Sequence, residues 1–175
     1  DTETGELTIA PGSYAEGLYL SWNPNVLTDP PYQYVYSKHG DLFRSSLYAG
    51  DLGPLSGASD PNVDETMPSW GPNGSIAFVR SAGHGALGFI GESTIHLIGE
   101  KGGTAELLAG SDAGIASYYP RFSPNGEWIA FTISPSGATS ISAPDAELRL
   151  VRSDGSGIVR ELRALNAGAS SYPTW

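Results

Sequence analysis

The sequence predicts an all-β protein, a β-propeller segment of about three four-stranded antiparallel blades with flanking strands, and three observations predict it. Short aromatic landmarks recur at nearly constant spacing. Each complete landmark is followed by a run of β-branched and aromatic residues. Finally, 23 glycines and 13 prolines in 175 residues require frequent turns.

The landmarks are "SWNPN" at 21–25, "SWGPNG" at 69–74 and "RFSPNG" at 121–126, and the final "TW" puts Trp175 on the same position as Trp22, Trp70 and Phe122. Their spacings are 48, 52 and 53 residues. Four-stranded units at such a period are the pattern of propeller blades. The four aromatics, sitting at the position that defines the unit, are expected in the blade core.

Taken in order, "GELTIAPG" at 5–12 resembles an outer fourth strand, and "SYAEGLYLSW" connects it to a first inner strand. The runs after the landmarks, "YQYVYS" at 32–37, "SIAFVR" at 75–80 and "EWIAFTIS" at 127–134, read as second strands. Pro-Asn-Gly supplies a tight turn before the latter two, because Asn and Gly tolerate positive φ. The first unit has Val26 after its Asn and a longer "VLTDPP" connection, so a wider loop is expected there. Third and fourth strands are read in "SSLYAG" and "GPLSG", "STIHLIG" and "TAELLAG", and "AELRLVR" and "GIVRELRAL", separated by "GDLG", "EKGG" and "SDGSG". A helical reading is confined to a turn or two at "ELRALNAG", since apolar residues elsewhere do not recur at helical spacing. The resulting division is an outer strand and connection over 1–17, blades over 18–67, 68–119 and 120–171, and the first strand of a fourth blade over 172–175.

"YPRFSPNGEWIAFTIS" followed by "AELRLVRSDGSG" resembles the WD-like repeat of TolB-type β-propellers. The resemblance is closer in the second and third units than in the first and runs from about residue 18 to the end. Asn stands at 25, 73 and 125 where the family pattern usually has Asp. The resemblance implies a non-enzymatic scaffold for protein–protein interaction in the periplasm or outside a bacterial cell, as an accessory subunit of a larger, membrane-associated assembly. Two other readings stand beside it. One is the propeller part of a hydrolase or peptidase whose catalytic domain lies elsewhere, and the other is a carbohydrate-binding propeller.

Charge and composition narrow the partners. A net charge of −10 with only nine Lys and Arg argues against nucleic acid, which is bound through clustered cations, and against anionic membrane surfaces. No run approaches the length of a spanning helix, so direct membrane insertion is not expected. Absence of cysteine excludes thiol chemistry and thiolate metal sites. Closed propellers use 4 to 8 blades, so a partner protein or further blades are expected to cover the two ends of this segment.

The B-to-C segments "KHGDLFR", "SAGHGALGFIGE" and "SPSGATSISAPD" share one rim with the D-to-A segments "SDPNVDETM", "SDAGIASYY" and "NAGASSY". Long loops on a rigid scaffold favour binding there. The candidate partner-binding residues are Lys38, His39, Arg80, His84, Asp112, Tyr118, Tyr119 and Tyr172. The three tyrosines also have a structural explanation, packing beside the inner strand. His39 and His84 fall at comparable places, with Asp60, Asp64, Glu65 and Asp112 as acidic neighbours. A metal needs three or four converging ligands, which nothing in the spacing enforces, so neither metal nor cofactor is expected. His96, inside a third strand, is expected to pack or to face solvent on the blade. The nearest approach to a nucleophile elbow, "GESTI", has Ile95 in place of the last glycine, and no catalytic residue is assigned. "SDGSG" reads as a turn, and "NGS" at Asn73 doubles as a glycosylation sequon and a hairpin turn.

Overall fold

The computed structural model describes residues 17–82, 92–110, 112–134, 145–162 and 173–175, and among these there are twelve strands and no helix. They form three separate four-stranded antiparallel sheets. The first contains β1 (Gly17–Trp22), β2 (Gln33–Lys38), β3 (Asp41–Ser46) and β4 (Gly50–Pro54). The second contains β5 (Val63–Trp70), β6 (Ser75–Ala82), β7 (Ser93–Gly99) and β8 (Glu106–Ala109). The third contains β9 (Ala116–Phe122), β10 (Trp128–Ser134), β11 (Glu147–Arg152) and β12 (Val159–Glu161). Strand order follows sequence order in every sheet, which makes each a simple meander.

The unbroken apolar run "IAFV" follows from burial on both faces. Ile76 and Phe78 point toward blade 1, where they meet Val35, Leu42 and Leu55. Ala77 and Val79 point the other way and pack with Phe122, Ile129 and Phe131 of blade 3. Large residues thus project backward from each blade onto smaller ones in front. Polar contacts repeat along these seams. The Trp70 N–H donates to Ser21 Oγ at 2.9 Å, and the Phe122 N–H donates to Ser69 Oγ at 3.1 Å. At the third position Arg121 replaces the serine, and its carbonyl accepts from Trp175 Nε1 at 2.9 Å.

Every inner strand carries a bulge three residues before its landmark aromatic, where Tyr19, Met67 and Tyr119 adopt φ of 54°, 51° and 54°. This conformation is uncommon for side chains of that size. It turns all three inward to one place: Tyr19 meets Tyr119 edge-on at 6.2 Å although the whole of blade 2 lies between their blades in sequence, and Met67 lies in the same cluster.

Two expectations need correction. In blade 1 the third strand is "DLFRSS" rather than "SSLYAG", and "GDLG" belongs to β4 rather than to a turn. The cause is a two-residue connection, His39-Gly40, with φ of 52° and 85°, which starts β3 four residues earlier. Of the landmark aromatics, Trp70 and Phe122 are 4% and 9% exposed, but Trp22 is 46% exposed. Trp22 projects from the side of blade 1 that faces away from blade 2, and Trp175, also exposed, projects beyond blade 3. The expected opening strand at 5–12 lies outside the described residues.

Candidate functional site

The rim made by the B-to-C ends and the D-to-A connections contains a cleft of about 370 Å³ over blade 2. Its walls come from the start of β5 (Val63), the end of β6 (Arg80, Ser81), the start of β7 (Glu92, Ser93, Thr94) and the connection to blade 3 (Asp112, Ile115). Several bonds fix this frame. Glu92 Oε1 accepts from the Gly114 N–H at 2.8 Å. The Ser93 hydroxyl donates to the Ser117 carbonyl and accepts the Ser117 N–H, at 2.8 and 2.9 Å, joining blades 2 and 3 at the cleft floor.

Arg80 is held from below. Its Nε and Nη2 donate to Glu65 Oε1 at 3.1 and 2.7 Å, and Nη2 also reaches the Gly57 carbonyl at 3.1 Å. The Glu65 side chain is completely buried, and its Oε2 accepts the Asp60 N–H. Burial raises the Glu65 carboxyl above the usual carboxylate range, and the bonds from Arg80 and Asp60 offset that only in part. Asp60 and Gly57 belong to the chain crossing from blade 1, so the ion pair pins that crossing. Next to it, His96 stands 5.7 Å from the Phe78 ring, with Nε2 2.9 Å from Thr94 Oγ1. Burial, then the nearby Arg80 charge, lowers the imidazole to about 4, so it is neutral at pH 7.

Of the candidate rim residues, Arg80 and Asp112 are brought into one cleft. Lys38 closes β2 with its ammonium 6.0 Å from the Phe43 ring, and His39 occupies the adjoining turn. His84 and Tyr172 lie outside the described residues. Tyr118 and Tyr119 are buried in β9, edge-on to one another at 5.2 Å within the seam between blades 2 and 3. As rim contacts they are therefore corrected to core residues, because the bulge turns them inward. Sequence reasoning overlooked Glu92 and Ser93, whose only signal was their position at the start of a third strand. Among the described residues no group of three or more His, Asp or Glu side chains is arranged to hold a metal ion.

Three meandering sheets joined by repeated seams, with loops gathered at the rims, define a β-propeller segment. A chain in the crystal structure of a nidogen/laminin complex is similar to it with a TM-score of 0.57 and 11% identity, over 83% of this chain and 47% of that one. A putative TolB from Agrobacterium tumefaciens is 18% identical, with a TM-score of 0.41, over 83% of this chain and 62% of that one. The present chain thus spans about half to three-fifths of the length of these structures. No family model and no curated protein matches it.

Proposed function

We propose that this chain is a non-enzymatic propeller scaffold for protein–protein interaction, acting outside the bacterial cytoplasm as part of a larger assembly. The observation that supports this most is the cleft over blade 2. It opens at the end of β6 and the start of β7, it presents the mixed groups Arg80, Glu92, Thr94 and Asp112, and hydrogen bonds to blade 3 and its connection hold its described walls. Mixed polar and apolar walls on a fixed scaffold suit a protein partner. The similar nidogen/laminin chain also comes from a complex of proteins. Location outside the cytoplasm rests on the TolB-like repeat.

A carbohydrate reading of this rim needs exposed aromatic platforms, and Tyr118 and Tyr119, which would supply them, are buried. Photo-cross-linking in the native cell from a benzophenone residue at position 112, with position 156 on the opposite rim as reference, tests the proposal. A discrete protein adduct formed from 112 and weak from 156 is expected. Equal or absent adducts contradict it.

A further inference from the structure

The A-to-B connection of blade 1 is built unlike its counterparts. Blades 2 and 3 turn within Gly71–Gly74 and Ser123–Gly126, closed by Gly74 N to Gly71 O and Gly126 N to Ser123 O bonds of 3.2 and 2.8 Å. Blade 1 makes the same connection with residues 23–32. That longer path places Leu27 at 90% exposure, with Val26 and Tyr32 also exposed along it. Tyr48, 76% exposed in the β3–β4 turn, stands edge-on to Tyr32 with ring centroids 5.6 Å apart. Exposed single apolar residues are ordinary, but here four fall on two turns joined by hydrogen bonds and by the Tyr32–Tyr48 ring contact.

The two turns are held in place. The Thr28 hydroxyl donates to the Pro30 carbonyl at 3.1 Å, and Gln33 Nε2 donates to that carbonyl at 2.9 Å. The buried Ser46 ties the two turns together, its hydroxyl donating to the Pro31 carbonyl at 2.7 Å and accepting from the Tyr48 N–H at 3.2 Å. The Leu47 N–H donates to the Tyr32 carbonyl. Tyr32 itself has φ of 52°, a left-handed conformation uncommon for a residue of this kind. Propeller geometry does not require this, since two other blades manage the connection with a glycine. What the conformation achieves is to set the Tyr32 ring against Tyr48 at the surface.

We propose that Val26, Leu27, Tyr32 and Tyr48 form a docking surface for a protein whose apolar pocket receives Leu27, with basic residues around that pocket. The surface lies on the rim opposite the blade 2 cleft, so it stands or falls separately from the function proposed above. An aliphatic tip favours a protein over a sugar, because Leu27, 90% exposed, offers a protein pocket an apolar anchor and a sugar no ring face to stack on. Asp29, on the same connection as Leu27, and Asp51, three residues after Tyr48, are both exposed in a chain of net charge −10, which favours a basic rim on the partner and disfavours anionic lipid. Ordered tyrosines lose little entropy on binding, which suits them to such a contact.

Panning the 175-residue chain against a phage-displayed library of random peptides of about 12 residues, a length that can span an apolar anchor and its flanking bases, tests this. Enriched peptides are expected to pair an aliphatic or aromatic anchor with Lys or Arg. A synthetic consensus peptide is expected to bind about tenfold more weakly to Leu27→Asp and to Tyr48→Ala, and unchanged to Asp112→Asn on the other rim. Both altered side chains are exposed, so thermal melting should match the parent and exclude misfolding. The proposal is overturned if no consensus emerges, or if the consensus peptide binds both variants as well as the parent. Capture of the chain by immobilised oligosaccharides, abolished by Tyr48→Ala, would also overturn it in favour of a glycan site.

Discussion

Glu65 and Arg80 face each other across β5 and β6, and the same register in blade 3 is filled by Ser117 and Ile133. The two solutions occupy one structural position, so the ion pair is local to the first seam rather than a requirement of the fold. Removing only the cation leaves a carboxylate without solvent contact and without its strongest partner. Arg80→Met is expected to destabilise the chain by about 3–5 kcal/mol in urea denaturation. Glu65→Ser with Arg80→Ile, which copies blade 3, is expected to recover to within about 1–2 kcal/mol of the parent, because no buried charge remains. A double variant no more stable than the single would show that the pair does something other than pin the crossing from blade 1. Neither partner's role was legible in the sequence. Glu65 counted there as one more acidic rim residue, because burial depends on where the Gly57–Asp60 crossing runs.

Strands and seams divide into parts that local sequence dictates and parts that it does not. Pro-Asn-Gly turns and the "IAF" runs were readable, since turn chemistry and burial on both faces leave direct marks on composition. The third strand of blade 1 was misread because "DLFRSS" carries two charges, and because a positive φ at His39, a residue other than glycine, announces no turn. The inner-strand bulges were equally hidden, for Tyr19, Met67 and Tyr119 are not residue types that favour left-handed backbone. Serine before the landmark aromatic was visible as part of "SW", yet its partner lies a whole blade later. Ser69→Ala removes the acceptor of the buried Phe122 N–H and should cost about 1–3 kcal/mol. The exposed control Ser59→Ala should stay within about 0.5 kcal/mol, both being measured by thermal and urea unfolding. Equal stability of the two variants would mean that the seam does not depend on this bond.

Over the whole molecule, each blade presents large residues backward and small ones forward, and two complete seams illustrate how these halves meet. Blade 1 carries the same backward set: Trp22 stands where Trp70 and Phe122 stand, with Tyr34 and Tyr36 at the positions of Ile76 and Phe78. Rings run along this side, Trp22 to Tyr34 at 5.0 Å and Tyr34 to Tyr36 at 5.8 Å. Trp22 is 46% exposed against 4% at Trp70, whereas Tyr34 and Tyr36 on the same side are 0% and 3% exposed, so among the described residues this side is open at Leu20 and Trp22 rather than along its length. The overall class was legible because the repeat is written four times, whereas the proposed blade 1 surface was visible only as an unusually long connection. Light scattering coupled to size exclusion, over a range of protein concentrations, tests whether seamed blades with an exposed aromatic edge at Trp22 associate through it. The measured mass should rise with concentration above 18.3 kDa and fall back toward it when Trp22→Ser weakens the aromatic side. A natively folded parent chain that stays monodisperse at 18.3 kDa at every concentration would contradict it.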